Sequence, residues 1–235
     1  MDKLDEYYKF LAEKQTAVHD SGFEIADEDL NPKLFTFQRY CVKRALKTGR
    51  FAMFEDCGLG KTFQQLEWAY QVQKHINRPV LILAPLGVIG QTIKEGEHFG
   101  YEVKEISLTV FDQDLKAGIY ITNYDNMENI DAYLFGGVVL DESSILKNFA
   151  GKTRTALIED FKDTPYKLCC TATPSPNDTT ELCNHAEFLN VMTRNEMLAM
   201  YFVHDGGSTS DWRLKGHAQQ DFWDFVSTWA VMLSK

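Results

Sequence analysis

The strongest constraint on the fold is an alternation of short apolar runs with helical patterns. The runs Phe51–Phe54, Val80–Ala84, Ile119–Thr122, Val138–Leu140 and Lys167–Thr171 are largely continuous in apolar character, and a weaker one lies near Ser107–Phe111. A strand that is apolar on successive residues is buried on both of its faces. Between these runs the spacing predicts helices at about Thr62–Lys74, Val88–His98, Lys152–Phe161 and Thr180–Leu189. Strands and helices in alternation imply an α/β fold, a parallel sheet with helices on both faces.

The flanks read differently. Asp2–Val18 fits a helix with Leu4, Tyr7, Tyr8, Leu11 and Val18 on one side, and His19–Pro32 fits an acidic linker or surface loop. Phe37–Lys47 is helical in pattern and closed by Gly49. After the alternating section, Val203–Gln220 reads as a long loop containing Gly206, Gly207 and a Ser/Thr cluster. Asp221–Leu233 then reads as a helix with Phe222, Phe225, Val226, Trp229, Met232 and Leu233 on one stripe. Such a stripe needs a covering surface, and most of it is expected to dock back on the domain. The expected organisation is an N-terminal helix and linker over 1–30, a nucleotide-binding lobe over 31–202, and a loop and apolar helix over 203–235.

Charge and cysteine usage narrow the class. Acidic residues outnumber basic ones 34 to 24, a net charge of −10, which argues against a broad phosphate-binding surface. Yet Asn31–Phe54 holds no Asp or Glu, while Lys33, Arg39, Lys43, Arg44, Lys47 and Arg50 all fall there. That run suits a solvated helix face with cations toward its C-terminal end, and it also suits a local nucleic-acid patch. No apolar stretch approaches the length of a membrane span, and Met1–Lys14 lacks the apolar core of a secretion signal. The five cysteines form no C-x-x-C pair and no histidines gather near them, so a zinc site is not expected and a reducing, cytoplasmic setting is.

The run Phe51–Phe54 leads into Glu55–Thr62 (EDCGLGKT), and a helical pattern follows. Strand, glycine loop and helix are the context a phosphate-binding loop requires. Gly58 and Gly60 let backbone N–H groups turn toward phosphate oxygens, and Leu59 lies between them. Lys61 would reach the β- and γ-phosphates of ATP, and the Thr62 hydroxyl would ligate Mg²⁺. The first glycine of the usual pattern is Glu55 here. A second Gly-Lys-Thr, Gly151–Thr153, lacks both the preceding glycines and the preceding strand, so Lys152 reads as a surface residue at a helix start.

The apolar run Val138–Leu140 ends in Asp141 and Glu142. Asp141 would hold Mg²⁺ and Glu142 would polarise the attacking water. Both acids and Gly58–Thr62 would lie outside the carboxyl ends of parallel strands, where ligands bind in such sheets.

The order of segments is more specific than any one of them. Gln38 precedes the loop, and then come Ala84-Pro-Leu86, Ile121-Thr-Asn-Tyr124, Asp141-Glu142 and Thr171-Ala-Thr-Pro174. This order resembles the motif set of the first RecA-like lobe of superfamily 2 helicases, and within them the Swi/Snf-related type, whose loop also starts with an acid and reads GLGKT. The stretches LDESSILKN, GKTRTALI, CCTATPSPND and HAEFL look like those of bacteriophage and bacterial helicases. The resemblance covers roughly Asn31–Lys235.

It implies a RecA-like P-loop NTPase fold, ATP and Mg²⁺ as cofactors, and a nucleic-acid partner, with DNA favoured over RNA. By the same resemblance Gln38 would read the adenine edge, with Phe35 or Phe37 beside it for stacking. Thr171, Ala172 and Thr173 would couple nucleotide state to grip on nucleic acid, and Pro85, Leu86, Gly87, Thr122, Asn123 and Tyr124 would line the track. Ser144 stands where related helicases carry His or Asp. The family's second lobe, with its arginine finger, is the further partner implied, and Arg213 does not resemble that finger. The expected activity is ATP hydrolysis coupled to movement on nucleic acid, weak or absent in one lobe alone. A non-catalytic nucleotide- or DNA-binding adaptor is the alternative. The implied setting is the cytoplasm of a bacterial host, without membrane contact.

Overall fold

The computed structural model describes residues 20–106, 115–147, 151–204 and 212–235. The helix expected over 2–18 and the weak strand near 107–111 lie outside them. Six strands follow the chain as β1 (Arg50–Glu55), β2 (Val80–Ala84), β3 (Val103–Glu105), β4 (Ile119–Asn123), β5 (Gly137–Asp141) and β6 (Tyr166–Thr171). A separate antiparallel pair, β7 (Phe202–His204) and β8 (Trp212–Leu214), comes next, and β9 (Ala230–Leu233) returns to the main sheet. The order is β3-β4-β2-β5-β6-β1-β9, and every neighbouring pair is parallel.

Helices cover both faces. One face carries α1 (Thr36–Thr48), α2 (Lys61–Ile76) and α3 (Ile89–Phe99). The other carries α4 (Lys152–Asp160), α5 (Leu182–Phe188), α6 (Arg194–Tyr201) and α7 (Gln219–Trp229). Successive strand residues point to opposite sides, so each strand feeds two cores. Phe51, Met53, Ile82, Val139 and Cys170 join Leu46, Leu66, Trp68 and Val72 on the first face. Ala52, Phe54, Leu83, Leu140 and Cys169 join Leu157, Phe188, Phe222 and Trp229 on the second.

Two expectations about the tail are corrected. The helix expected over Asp221–Leu233 ends at Trp229, and Ala230 turns to extended backbone (φ −140°, ψ 155°). Residues 230–233 pair with β1 from Ala52 opposite Ala230 to Glu55 opposite Leu233. Extending the helix would have left the N–H and C=O groups on that side of β1 without partners inside the domain, and pairing satisfies them. Met232 is consequently not on the buried stripe and is half-exposed. The expected long loop over 203–220 likewise contains β7 and β8 and a short 3₁₀ turn at Gly216–Ala218. The docked stripe is as expected for Phe222, Phe225, Val226 and Trp229, all buried. Residues on both sides of position 203 thus contribute strands to the main sheet.

Residues 20–34 are fastened to the lobe. The amides of Ser21, Gly22 and Phe23 donate to the carbonyls of Thr48, Lys47 and Leu46, which satisfies the last acceptors of α1. Phe23 stacks on His75 with centroids 3.9 Å apart. Cations of the basic run meet acceptors of the chain itself. Lys33 donates to the His98 carbonyl, Arg39 to those of Pro32 and Leu34, Arg44 to that of Ser227 and Arg50 to that of Pro165. Lys43 pairs with Asp27, and Lys47 with Glu24. These cations are committed to the chain's own acceptors.

Lys167 is fully buried at the start of β6, its ammonium donating to the Phe188 carbonyl (2.8 Å) and the Asn190 side chain (3.4 Å). Burial lowers its pKa to about 7, and the charge of Arg50 adds to the effect. In the unfolded chain a lysine titrates near 10.4, so between about pH 7 and 10.4 the unfolded state binds more protons. The penalty is full below the folded pKa and is relieved as pH rises through this window. Lys167→Met should therefore stabilise the protein relative to wild type more at pH 6 than at pH 10, read as the difference in urea midpoint.

Trp229 is fully buried and meets Phe54 edge-on at 6.3 Å. Trp229→Ala should cost about 3–5 kcal/mol in urea unfolding, the range for truncating a buried aromatic.

Candidate nucleotide-binding site

The register of the sheet brings the sequence motifs to one edge. Phe54 lies opposite Thr171, Asp141 opposite Cys170, and Ala84 opposite Asn123. The loops after β1, β6, β5, β2 and β4 therefore leave the sheet side by side, at the carboxyl ends of parallel strands.

The loop after β1 has the shape of an anion cradle. Gly58 and Gly60 sit at φ 82° and φ 80°, and α2 begins at Lys61 with no side chain capping it. The first-turn N–H groups of an uncapped helix are donors aimed outward, with the positive end of the helix dipole behind them. The Lys61 ammonium folds back and donates to the carbonyls of Glu55 (2.7 Å) and Asp56 (3.2 Å). Thr62 follows in the first turn of α2, partly exposed. Gly60 is also a close-approach position. A Cβ there would lie 2.4 Å from Gln38 Nε2.

Gln38 is buried and ties two segments together. Its Nε2 donates to the Leu59 carbonyl (2.9 Å), and its Oε1 accepts from the Phe35 amide (2.9 Å). A side-chain amide has two N–H groups and two acceptor lone pairs, so one of each remains beyond these bonds. Phe35 is 68% exposed and stacks with Phe37, their centroids 6.3 Å apart.

Glu55 replaces the usual first glycine and is fully buried. It accepts from Gln64 Nε2 at 2.7 Å. Burial raises its pKa, while the Gln64 amide and the Lys61 charge pull it back. Asp141 accepts from Gln65 Nε2 at 2.9 Å, and its backbone carbonyl accepts from the Tyr124 hydroxyl at 2.7 Å. Burial raises the Asp141 pKa and the adjacent Glu142 charge adds to that, whereas Gln65 and Lys61 oppose it. Glu142 accepts from Thr171 Oγ1 (3.0 Å), which in turn accepts from the Thr173 amide (3.0 Å). Ala172 and Thr173 lie between the buried Thr171 and the surface.

The residues expected on a nucleic-acid track divide. Pro85, Leu86, Asn123 and Tyr124 line a groove of about 520 Å³ together with Glu142, Ser144, Ile145 and Lys147. Leu86 is 68% exposed and Gly87 is exposed beside it. Thr122 is instead buried, bonded to the Ile106 carbonyl and to Asn126. Its expected place on a track surface does not hold, because the hydroxyl faces inward. Sequence reasoning missed Gln64, Gln65 and His185. The first two sit just past the glycine loop on α2, where amides two and three residues beyond Thr62 were a readable signal.

A glycine loop at a helix start and an acidic pair at the end of a parallel strand one removed from it, with β6 between, define a RecA-like P-loop domain. The chain belongs to the SNF2-related domain family, whose model matches residues 39–198. It is 30% identical over 173 residues to the DNA repair and recombination protein RAD54B of Homo sapiens, covering 64% of this chain and 19% of that protein. It is 28% identical over 184 residues to putative protein p41 of Acyrthosiphon pisum secondary endosymbiont phage 1, covering 67% of this chain and 40% of that one. The chain thus spans two fifths or less of these curated relatives. Among solved structures, the Sulfolobus solfataricus SWI2/SNF2 ATPase core in complex with dsDNA superposes with a TM-score of 0.70 at 20% identity, covering 91% of this chain and 47% of that chain. The UvsW helicase from bacteriophage T4 gives 0.58 at 14% identity, covering 74% and 68%. Among the described residues, no helix is long and apolar enough to cross a membrane.

Gly60→Ala should destabilise the domain by about 1–2 kcal/mol, because a Cβ in left-handed backbone is strained and here also meets Gln38. Gly87→Ala, where a Cβ meets nothing within 4 Å, should shift stability by less than about 0.5 kcal/mol. Thermal or urea melts of the two variants make the comparison.

Proposed function

We propose that this chain is the ATP- and Mg²⁺-binding first motor lobe of an ATP-dependent DNA translocase or helicase, completed by a second RecA-like lobe. The observation that carries the reading is the convergence of Lys61, Asp141, Glu142 and Thr171 on one edge of the sheet. The backbone of Gly58–Thr62 would cradle the phosphates, and Lys61 would exchange its bonds to the Glu55 and Asp56 carbonyls for phosphate oxygens. The Thr62 hydroxyl and Asp141 suit Mg²⁺, a hard cation that prefers oxygen ligands and keeps much of its water. Mg²⁺ when bound would neutralise phosphate charge. Glu142 would orient the attacking water, and Thr171 would report its position to the loop that follows. The remaining N–H and lone pair of Gln38 match the donor and acceptor of an adenine edge, with Phe35 able to stack on the ring.

DNA is supported as the track by the groove beside Leu86, Asn123 and Tyr124, and by the relatives named above. Backbone amides and hydroxyls of that groove would make contacts to phosphate. The phage relative supports a bacterial host cytoplasm as the setting.

Calorimetry of the chain with Mg²⁺ should detect ATP and ADP binding in the micromolar to millimolar range, lost in Lys61→Ala. GTP should compete less well than ATP, because a mismatched base leaves buried polar groups unpaired. Absence of binding at millimolar nucleotide, or binding unaffected by Lys61→Ala, rejects the site.

A further inference from the structure

Glu142 has φ 57°, in the left-handed region, and among the described residues the other two non-glycine residues there are Asn77 and Asn190. Asparagine tolerates that backbone; for glutamate it is uncommon and must be held by its surroundings. Thr171 holds the carboxylate from one side. The Glu142 backbone carbonyl accepts from the Ile145 amide (3.2 Å) within the turn that follows, Ser143–Lys147.

Ser143 is fully buried, and its Oγ lies 3.2 Å from Nε2 of the fully buried His185 on α5. The other ring nitrogen, Nδ1, lies 3.3 Å from the Glu181 carbonyl. A carbonyl only accepts, so in the tautomer with the proton on Nδ1 the bare Nε2 can accept from the Ser143 hydroxyl. The ring also packs edge-on against Phe54, one residue before Glu55, at 5.1 Å. Beside His185, Asn184 Nδ2 donates to the carbonyls of Leu146 (2.8 Å) and Lys147 (3.2 Å). Two adjacent residues of α5 therefore grip both ends of the turn behind the acidic pair.

The short 3₁₀ turn Thr179–Glu181 that leads into α5 is fastened to the segment after Thr171. The Glu181 carboxylate accepts from Asn177 Nδ2 (2.8 Å) and from the Asn177 amide (3.4 Å), and Asp178 Oδ1 accepts from the Thr180 amide (2.7 Å). Ser144, whose place carries His or Asp in the helicases this chain resembles, makes no part of this linkage.

We infer that His185 and Asn184 are positioning residues that keep Glu142 in its left-handed conformation and relay its movement, through Glu181 and Asn177, to the loop Ala172–Asp178. A ligand that draws Glu142 toward a γ-phosphate pulls on Ser143. The hydrogen bonds to His185 and Asn184 pass that displacement to α5, and α5 passes it to Asn177. This inference rests on the nucleotide reading of the site.

The test separates binding from response. Hydrogen–deuterium exchange of the amides within 175–181 is followed with and without saturating Mg²⁺ and a non-hydrolysable ATP analogue, and affinity is measured by calorimetry. In the native chain the analogue should slow exchange of this segment by about tenfold. Ser143→Ala and His185→Leu should bind the analogue with native affinity yet show a clearly smaller slowing, the remainder being carried by the direct bond of Thr171 to Glu142. His185→Gln, whose amide can donate to the Glu181 carbonyl and accept from Ser143, should restore the native slowing. Should His185→Leu fail to fold, Ser143→Ala decides alone. Native affinity with native slowing in Ser143→Ala overturns the relay and leaves the site intact, whereas no binding by the native chain overturns both.

Discussion

The backbone pairing of β1 with β6 runs in register from Arg50 opposite Lys167 to Phe54 opposite Thr171. Because the strands are parallel, the glycine loop after β1 and the threonine segment after β6 leave the sheet at the same level. β5 pairs on the far side of β6 and delivers Asp141 opposite Cys170. A slip of one residue would turn Phe54 and Thr171 to the opposite faces and separate Thr171 from Glu142. The site is thus a consequence of strand register before it is a property of any side chain. The buried pairs that fix this register, Ala52 with Cys169 and Met53 with Cys170, belong to two different cores.

Much of this was legible in the sequence because the informative signals are local. A strand buried on both faces shows as a continuous apolar run, and β1, β2, β4, β5 and β6 all do. The glycine loop shows because its backbone shape demands glycine at Gly58 and Gly60. Four features were not legible, three of them for a non-local reason. β9 reads as the end of a helix because Ala230–Leu233 continues the apolar character of α7, and only the open edge of β1 makes it a strand. β3 is three residues long with two charged side chains, so no apolar run marks it. Thr122 carries the residue type expected of a track, yet Asn126 and the Ile106 carbonyl turn its hydroxyl inward. His185 has no sequence signal as a partner of Ser143, since the pairing spans 42 residues.

The site's carboxylates are held by neutral groups. Gln64 holds Glu55, Gln65 holds Asp141, Thr171 holds Glu142, and Asn177 holds Glu181. An amide or hydroxyl fixes the position of a carboxylate through a hydrogen bond without neutralising it. A lysine or arginine in the same place would form an ion pair that any incoming cation would first have to break. Lys61 obeys the complementary rule, since its ammonium rests on the carbonyls of Glu55 and Asp56 rather than on a carboxylate. Opposite charges are paired away from the site, as where Lys43 meets Asp27 and Lys47 meets Glu24 on the outer face of α1, and where Arg154 meets Glu187. Keeping cation and anions apart leaves Asp141 raised in pKa by burial and Lys61 weakly engaged, a state that a magnesium-bound polyphosphate would relieve at both ends. Neutral hydrogen bonds therefore build a shaped but electrostatically unfinished site, and its completion by the proposed ligand would supply the force that the turn at Ser143 carries away.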